Sequence, residues 1–170
     1  VVITGGTLTT SGSGIVLTPS GGASQNAATL DSVTVSSGSR FVGADNSVTT
    51  LRNTITNNGT MTLASTGLGA DFLVGGDITL AGSGEVVLGN NLGNRIYGNA
   101  GSSLSNAAGH TIRGGGQIGT GLMGLNNQGL IAADQAVGLT INTNSAIVNS
   151  GTLQANAGSA LTLLRSVNNS

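Results

Sequence analysis

TNNGTMTLAS (residues 56–65) reads at first as a hairpin, because Asn58-Gly59 separates two runs in which apolar and hydroxyl residues alternate. The same phrase returns as NNQGLIAAD (residues 126–134) and as VNSGTLQAN (residues 148–156), with different residues at the turn. A hairpin needs its turn once. A phrase of strand, asparagine, glycine and strand that recurs along the chain belongs to a stack of similar units.

The units can be counted outward from this phrase. Apolar residues open a β-type segment at Leu8, Val33, Ile55, Ile78, Leu104, Leu125 and Ile147, at intervals of roughly 21 to 26 residues. A glycine follows each, the corner set being Gly59, Gly109, Gly129 and Gly151. A second apolar group resumes at Val16, Phe41, Met61, Val86, Ile112, Ile131 and Leu153. In the last two units one shift of about 22 residues lays Asn127 on Asn149, Gly129 on Gly151, Ile131 on Leu153, Leu139 on Leu161 and Ile141 on Leu163.

A unit this short cannot bury its own apolar face, so successive units must stack. The fold expected is all-β, a right-handed parallel β-helix of about seven coils forming one domain over residues 1–170, with a loop bulging at 89–103. Its core is expected at Ile55, Met61, Leu63, Ile78, Leu80, Leu104, Ile112, Leu125, Ile131, Leu139, Ile141, Ile147, Leu153, Leu161 and Leu163, with the intervening Thr and Ser outward. Corner glycines are expected to supply positive φ. Asn57, Asn106, Asn127 and Asn149 are expected to stack as a hydrogen-bonded amide ladder. The rival fold is an antiparallel one with a type I′ turn at Asn58-Gly59.

Composition agrees with a folded β chain and narrows function. Of 170 residues, 30 are glycine, 6% are charged and 2% aromatic, while 38% are hydrophobic, which separates the chain from disordered low-charge segments. A net charge of −1 with five scattered arginines provides no stripe for a phosphate backbone, so nucleic acid is not an expected partner. Cysteine is absent, and no apolar run approaches the roughly twenty residues that span a bilayer.

Constellations that carry chemistry are sparse. GGGQIG (residues 114–119) has the spacing of a dinucleotide-binding loop but no helical pattern after it, so a tight β corner is expected. VGGDITLAG (residues 74–82) has one Asp, too few oxygens for calcium. Asp31, Asp45, Asp71, Asp77, Glu85 and Asp134 are expected to be solvated edge charges, and the lone His110 to sit at a surface or corner. No catalytic residue, metal ligand or cofactor is expected.

The phrases ITNNGTMTLAS, NAAGHTIRGGGQIG, LNNQGLIAADQ and IVNSGTLQANAGSALTL resemble the passenger repeats of large secreted bacterial proteins, the filamentous-haemagglutinin-like and autotransporter group. The resemblance covers most of the chain from Ile55 onward. It implies a β-helix exported to the cell surface or medium and displayed as a rod in adhesion, biofilm or aggregation. Neither a secretion-domain motif nor a membrane barrel is evident, so no functional residue carries over. The expected function is a non-enzymatic structural and adhesive module, extracellular or on a bacterial surface, that contacts itself end to end or laterally, or a host or cell-surface glycan or protein. A carbohydrate-binding or carbohydrate-cleaving β-helix resembling a phage tail-spike is the alternative. An ice-binding solenoid is a more distant one.

Overall fold

The computed structural model describes residues 1–21 and 26–170, with the side chain of Asn26 excepted. It is all-β, and every strand pairing is parallel. The strands form three sheets in which each successive member comes from the next turn of the chain, a parallel β-solenoid of about seven turns.

The first face holds β1 (Val2–Thr4), β4 (Asn26–Asp31), β7 (Ser47–Arg52), β10 (Ala70–Val74), β13 (Asn94–Gly98), β16 (Gly116–Gly119), β19 (Leu139–Ile141) and β22 (Leu161–Leu163). The second holds β2 (Thr7–Leu8), β5 (Thr34–Val35), β8 (Thr54–Asn57), β11 (Asp77–Ala81), β14 (Ser103–Asn106), β17 (Gly124–Asn127), β20 (Ile147–Asn149) and β23 (Val167–Asn169). The third holds β3 (Val16–Thr18), β6 (Arg40–Ala44), β9 (Thr60–Ala64), β12 (Glu85–Leu88), β15 (Thr111–Gly114), β18 (Leu130–Ala133) and β21 (Thr152–Ala155).

The opening phrase therefore spans the second and third faces, and Asn58-Gly59 is a corner that keeps the chain turning. On the third face Val16, Phe41, Met61, Val86, Ile112, Ile131 and Leu153 occupy one register position in successive coils, as the repeat predicts. The two-residue alternation of each strand sends these side chains inward and Thr60, Thr62 and Arg113 outward. Each fully buried Leu or Ile contributes about 2 kcal/mol to the stack.

The expected core is buried at Ile55, Met61, Leu63, Ile78, Leu80, Leu104, Ile112, Leu125, Ile131, Leu139, Ile141 and Ile147. Leu153 and Leu161 are only partly buried, and Leu163 is 39% exposed, because β21 and β22 are the last strands of their sheets and no coil covers them. The core also extends where no expectation reached. Leu30, Leu51, Phe72, Val74, Ile96 and Ile118 fill the first face, and the Phe41 and Phe72 rings lie 6.2 Å apart.

Two expectations are corrected by the corners. Residues 89–103 are not one loop: β13 runs through them, leaving short corners at 89–93 and 99–102. The dense Gly and Asn around Arg95-Ile96-Tyr97 hide a strand whose alternation is nevertheless regular. Ile55 pairs with Leu80 and not with Ile78, since the corner before β11 carries Gly75-Gly76 where the preceding coil has Asn53 alone. Ile55 thus shares a register position with Asn106 and Asn127, two residues away from the row of Ile78, Leu104 and Leu125.

Of the corner glycines, Gly109 has φ of +85°, as expected of a left-handed corner. Gly59, Gly129 and Gly151 do not have positive φ. Their requirement is steric: a Cβ there would run into the carbonyl oxygens of Ser39, His110 and Gly129 respectively, in the coil beneath. GGGQIG forms a tight corner between β15 and β16 with Gly115 alone outside the strands, and no helix follows.

Candidate functional site

The most elaborate polar structure is inside the rod. The Asn127 Nδ2 donates to Asn149 Oδ1 at 2.8 Å, Asn149 Nδ2 to Asn169 Oδ1 at 2.9 Å, and Asn106 Nδ2 to Asn127 Oδ1 at 2.8 Å. Asn127 also donates to the carbonyls of Gly129 and Thr152, both at 3.2 Å. Each carboxamide thus bonds its own corner and the coil above, and Asn106, Asn127 and Asn149 form the expected ladder, with Asn169 as a further member.

Asn57 joins it by a different route. The corners after β11 and β14, at 82–84 and 107–110, are longer than those after β8, β17 and β20, and the coil between Asn57 and Asn106 places Leu80 at the ladder position. His110, at the end of the corner after β14, fills the break: its Nδ1 lies 2.8 Å from Asn106 Oδ1 and its Nε2 3.1 Å from Asn57 Nδ2. Asn106 Nδ2 is engaged with Asn127, so its Oδ1 accepts and His110 Nδ1 carries the proton. Nε2 accepts from Asn57, whose Oδ1 accepts from the Gly59 N–H at 3.1 Å. All amide donors then point the same way along the axis. His110 is wholly buried, contrary to its expected surface place, and burial pulls its pKa down to about 4, with Glu85 opposing the shift. A lone histidine spaced two residues before Ile112 carries no repeat signal, which is why sequence periodicity missed it.

Asp77 is exposed and Asp31, Asp45, Glu85 and Asp134 are partly exposed, whereas Asp71 is buried against expectation, and each carboxylate bonds a neighbouring coil. Asp71 is fully buried and takes a bidentate pair from Arg95, Nε to Oδ1 at 2.7 Å and Nη2 to Oδ2 at 2.6 Å. Arg113 joins Glu85, through Nε to Oε2 at 2.7 Å, to Asp134, through Nη1 to Oδ2 at 3.0 Å. That guanidinium is the largest cause holding the Glu85 carboxyl below its ordinary range. Asp31 accepts from Asn53 Nδ2 at 2.6 Å, which lowers its pKa, and Asp77 accepts from Ser103 Oγ at 2.7 Å. Asp45 Oδ1 accepts backbone N–H groups of Thr66, Gly67 and Leu68 at 2.9 to 3.2 Å, a nest that draws its pKa down to about 2, the Thr66 N–H contributing most.

Chemically, these carboxylates are engaged by donors of this chain. Glu85, Arg113 and Asp134 do meet, two carboxylates on one guanidinium, on the outward side of the third face. Two cavities lie at opposite ends of the rod, one bounded by Val1, Ile3, Leu17 and Phe41 and one by Asn149, Leu153, Leu163 and Asn169, and neither is lined by an acid. Among the described residues no cluster of three or more His, Cys, Asp or Glu could hold a metal ion, and no helix is long and apolar enough to cross a membrane. Outward Thr residues do not form a continuous row: Thr62 is followed at its register position by Val87, Arg113, Ala132 and Gln154.

Fold and side chains together define the class, a three-faced parallel β-solenoid with an internal Asn/His ladder. No protein-family model, curated protein or solved structure matches the chain.

Proposed function

We propose that the chain is a non-enzymatic structural and adhesive β-helix module of a bacterial cell-surface or secreted fibrous protein. The observation that carries this is the use of its chemistry-bearing side chains. The six carboxylates, Arg95 and Arg113 through ion pairs, and the only histidine are engaged in bonds between coils, which serve rod length and rigidity more directly than turnover. The resemblance of its repeats to secreted passenger segments supports an extracellular or cell-surface location. Partners of such a rod are other copies of itself, or a glycan or protein of a host or cell surface.

Display of the chain on a non-adherent bacterium tests the proposal. Increased aggregation or attachment relative to cells displaying an unrelated solenoid is the expected result, and no change overturns it. The Glu85, Arg113 and Asp134 cluster favours a second reading, a glycan-cleaving or glycan-binding rod. Incubation with a panel of polysaccharides decides between them: turnover lost in Glu85→Gln would replace the structural reading with the enzymatic one.

A further inference from the structure

Asn58-Gly59, the corner within TNNGTMTLAS, is the only Asn-Gly step in the chain. Such a step is chemically open to spontaneous deamidation, because glycine puts no side chain beside the backbone nitrogen that has to attack. The Gly59 nitrogen would lose its proton, bond to the side-chain carbonyl carbon of Asn58 and expel ammonia, closing a five-membered succinimide. Water then opens the ring to aspartate or, with the main chain rerouted through the side-chain carbons, to isoaspartate. At the same corner the last two repeats carry Gln128-Gly129 and Ser150-Gly151, which cannot close that ring.

In the stacked coil the two reacting groups are held in separate bonds. Gly59 is buried, and its N–H donates to Asn57 Oδ1 at 3.1 Å, while the Asn57 amide nitrogen is tied to His110 Nε2 and to the Glu85 carbonyl. The Asn58 carboxamide is engaged at the surface instead, where its Oδ1 accepts the Ser83 N–H of the coil above at 3.2 Å. The backbone between them is fixed from both sides. Asn58 and Thr60 donate their N–H groups to the Val35 and Ser39 carbonyls of the coil beneath, and the Asn57 and Gly59 carbonyls accept from Gly84 and Glu85 of the coil above. Ring closure requires the Gly59 proton to leave and the Asn58 side chain to turn onto the nitrogen, so both side-chain bonds must break together.

We propose that Asn58-Gly59 is a deamidation site gated by the ladder, closed while its corner is stacked and reactive when the corner opens. The conversion then tracks the population of the open corner. It is also irreversible for the fold. Isoaspartate lengthens the main chain by one carbon at a corner without spare room, since a Cβ on Gly59 would already meet the Ser36 and Ser39 carbonyls and one on Gly84 the Gly59 carbonyl. A rod converted here cannot restack β8 and β9 in register, so the time this corner spends open is written into the chain as a covalent change.

Peptide mapping by mass spectrometry during incubation in mildly alkaline buffer is the test, with fragmentation that separates isoaspartate from aspartate. Asn58 should convert about a hundredfold or more slowly in the folded protein than in the chain unfolded by urea. Asn57→Ala releases the Gly59 N–H and should speed conversion in the folded protein about tenfold. Asn127→Ala injures the ladder farther along the stack but leaves this clamp in place, so its effect should be much smaller. Equal rates in the folded and unfolded chain, a folded N57A variant no faster than the unaltered protein, or an N127A variant as fast as N57A overturns the gate. Circular dichroism reports whether N57A folds. If it does not, hydrogen exchange of the Gly59 N–H in the unaltered protein decides: slow exchange beside slow deamidation supports the gate, and rapid exchange overturns it.

Discussion

Asn127→Ala cuts the ladder at its best-connected rung. The carboxamide accepts from Asn106 Nδ2 and donates to Asn149 Oδ1, Gly129 O and Thr152 O, all inside a wholly buried setting. Truncation leaves Asn149 Oδ1 and Thr152 O without this donor and takes from Asn106 Nδ2 the shortest of its bonds. Asn106 Nδ2 keeps the Leu130 carbonyl at 3.2 Å, so at about 1 to 3 kcal/mol for each of the two acceptors left unsatisfied the loss is about 2 to 6 kcal/mol. The outward neighbour Asn126, changed to Ala, should cost about 0.5 kcal/mol or less. Urea titration followed by circular dichroism measures the difference, an expected midpoint shift of about 1 to 3 M. Hydrogen exchange should localise the loss to β17, β18, β20 and β21, since coils of a solenoid are coupled mainly to their neighbours. Asn127→Asp keeps the acceptor but cannot donate when ionised, so it should be at least as damaging at neutral pH and partly relieved by acid. A loss under about 1 kcal/mol for Asn127→Ala, or one equal to that of Asn126→Ala, would refute the ladder as a stabilising element.

Acid should weaken the rod in two stages. His110 titrates at about 4 when folded against an ordinary 6.5, so its neutral form stabilises fully above 6.5, and that contribution, about 3 kcal/mol, is lost as pH falls from 6.5 to about 4. His110→Gln should flatten this part of a stability-versus-pH curve, whereas Asp45, lowered to about 2, Asp31 and Glu85 lose theirs only below their ordinary carboxylate values. Gly129→Ala drives a Cβ into the His110 carbonyl and should cost about 1 to 3 kcal/mol, seen as a lower Tm; an unchanged Tm would mean the corner relaxes freely. Asp71→Asn removes the charge beneath Arg95 and should cost about 1 to 2 kcal/mol after allowance for the partly exposed guanidinium, with a double-mutant cycle against Arg95→Gln isolating the coupling.

Periodicity made the second and third faces legible, because their strands flank a corner with a fixed Asn and Gly signature. The whole row from Val16 to Leu153 could be read this way. The first face was legible only at its end, in Leu139, Ile141, Leu161 and Leu163, since the corners leading into its earlier strands differ in length, as between Gly115 alone and the five residues of 89–93, and variable length erases a repeat. Asn106, Asn127 and Asn149 were visible because Asn recurs in one place. Asn57 was assigned to the same stack without its histidine bridge, because an extra two residues in a corner move a side chain by one full alternation. The pairing of Asp71 with Arg95 joins residues 24 apart, one coil, and alternation puts both outward, but nothing in the sequence marks them as partners.

Distances along the third face test the coil stack on which all of this rests. Val42, Thr62, Val87, Arg113, Ala132 and Gln154 share one outward register position. Spin labels at Val42 paired with Arg113, Ala132 or Gln154 should lie about 14, 19 and 24 Å apart, one coil spacing per step whatever the sequence separation. Pulsed electron-electron double resonance reads these directly. Equal steps of about 5 Å are predicted; steps that are irregular, or that reverse as antiparallel pairing would require, contradict the solenoid.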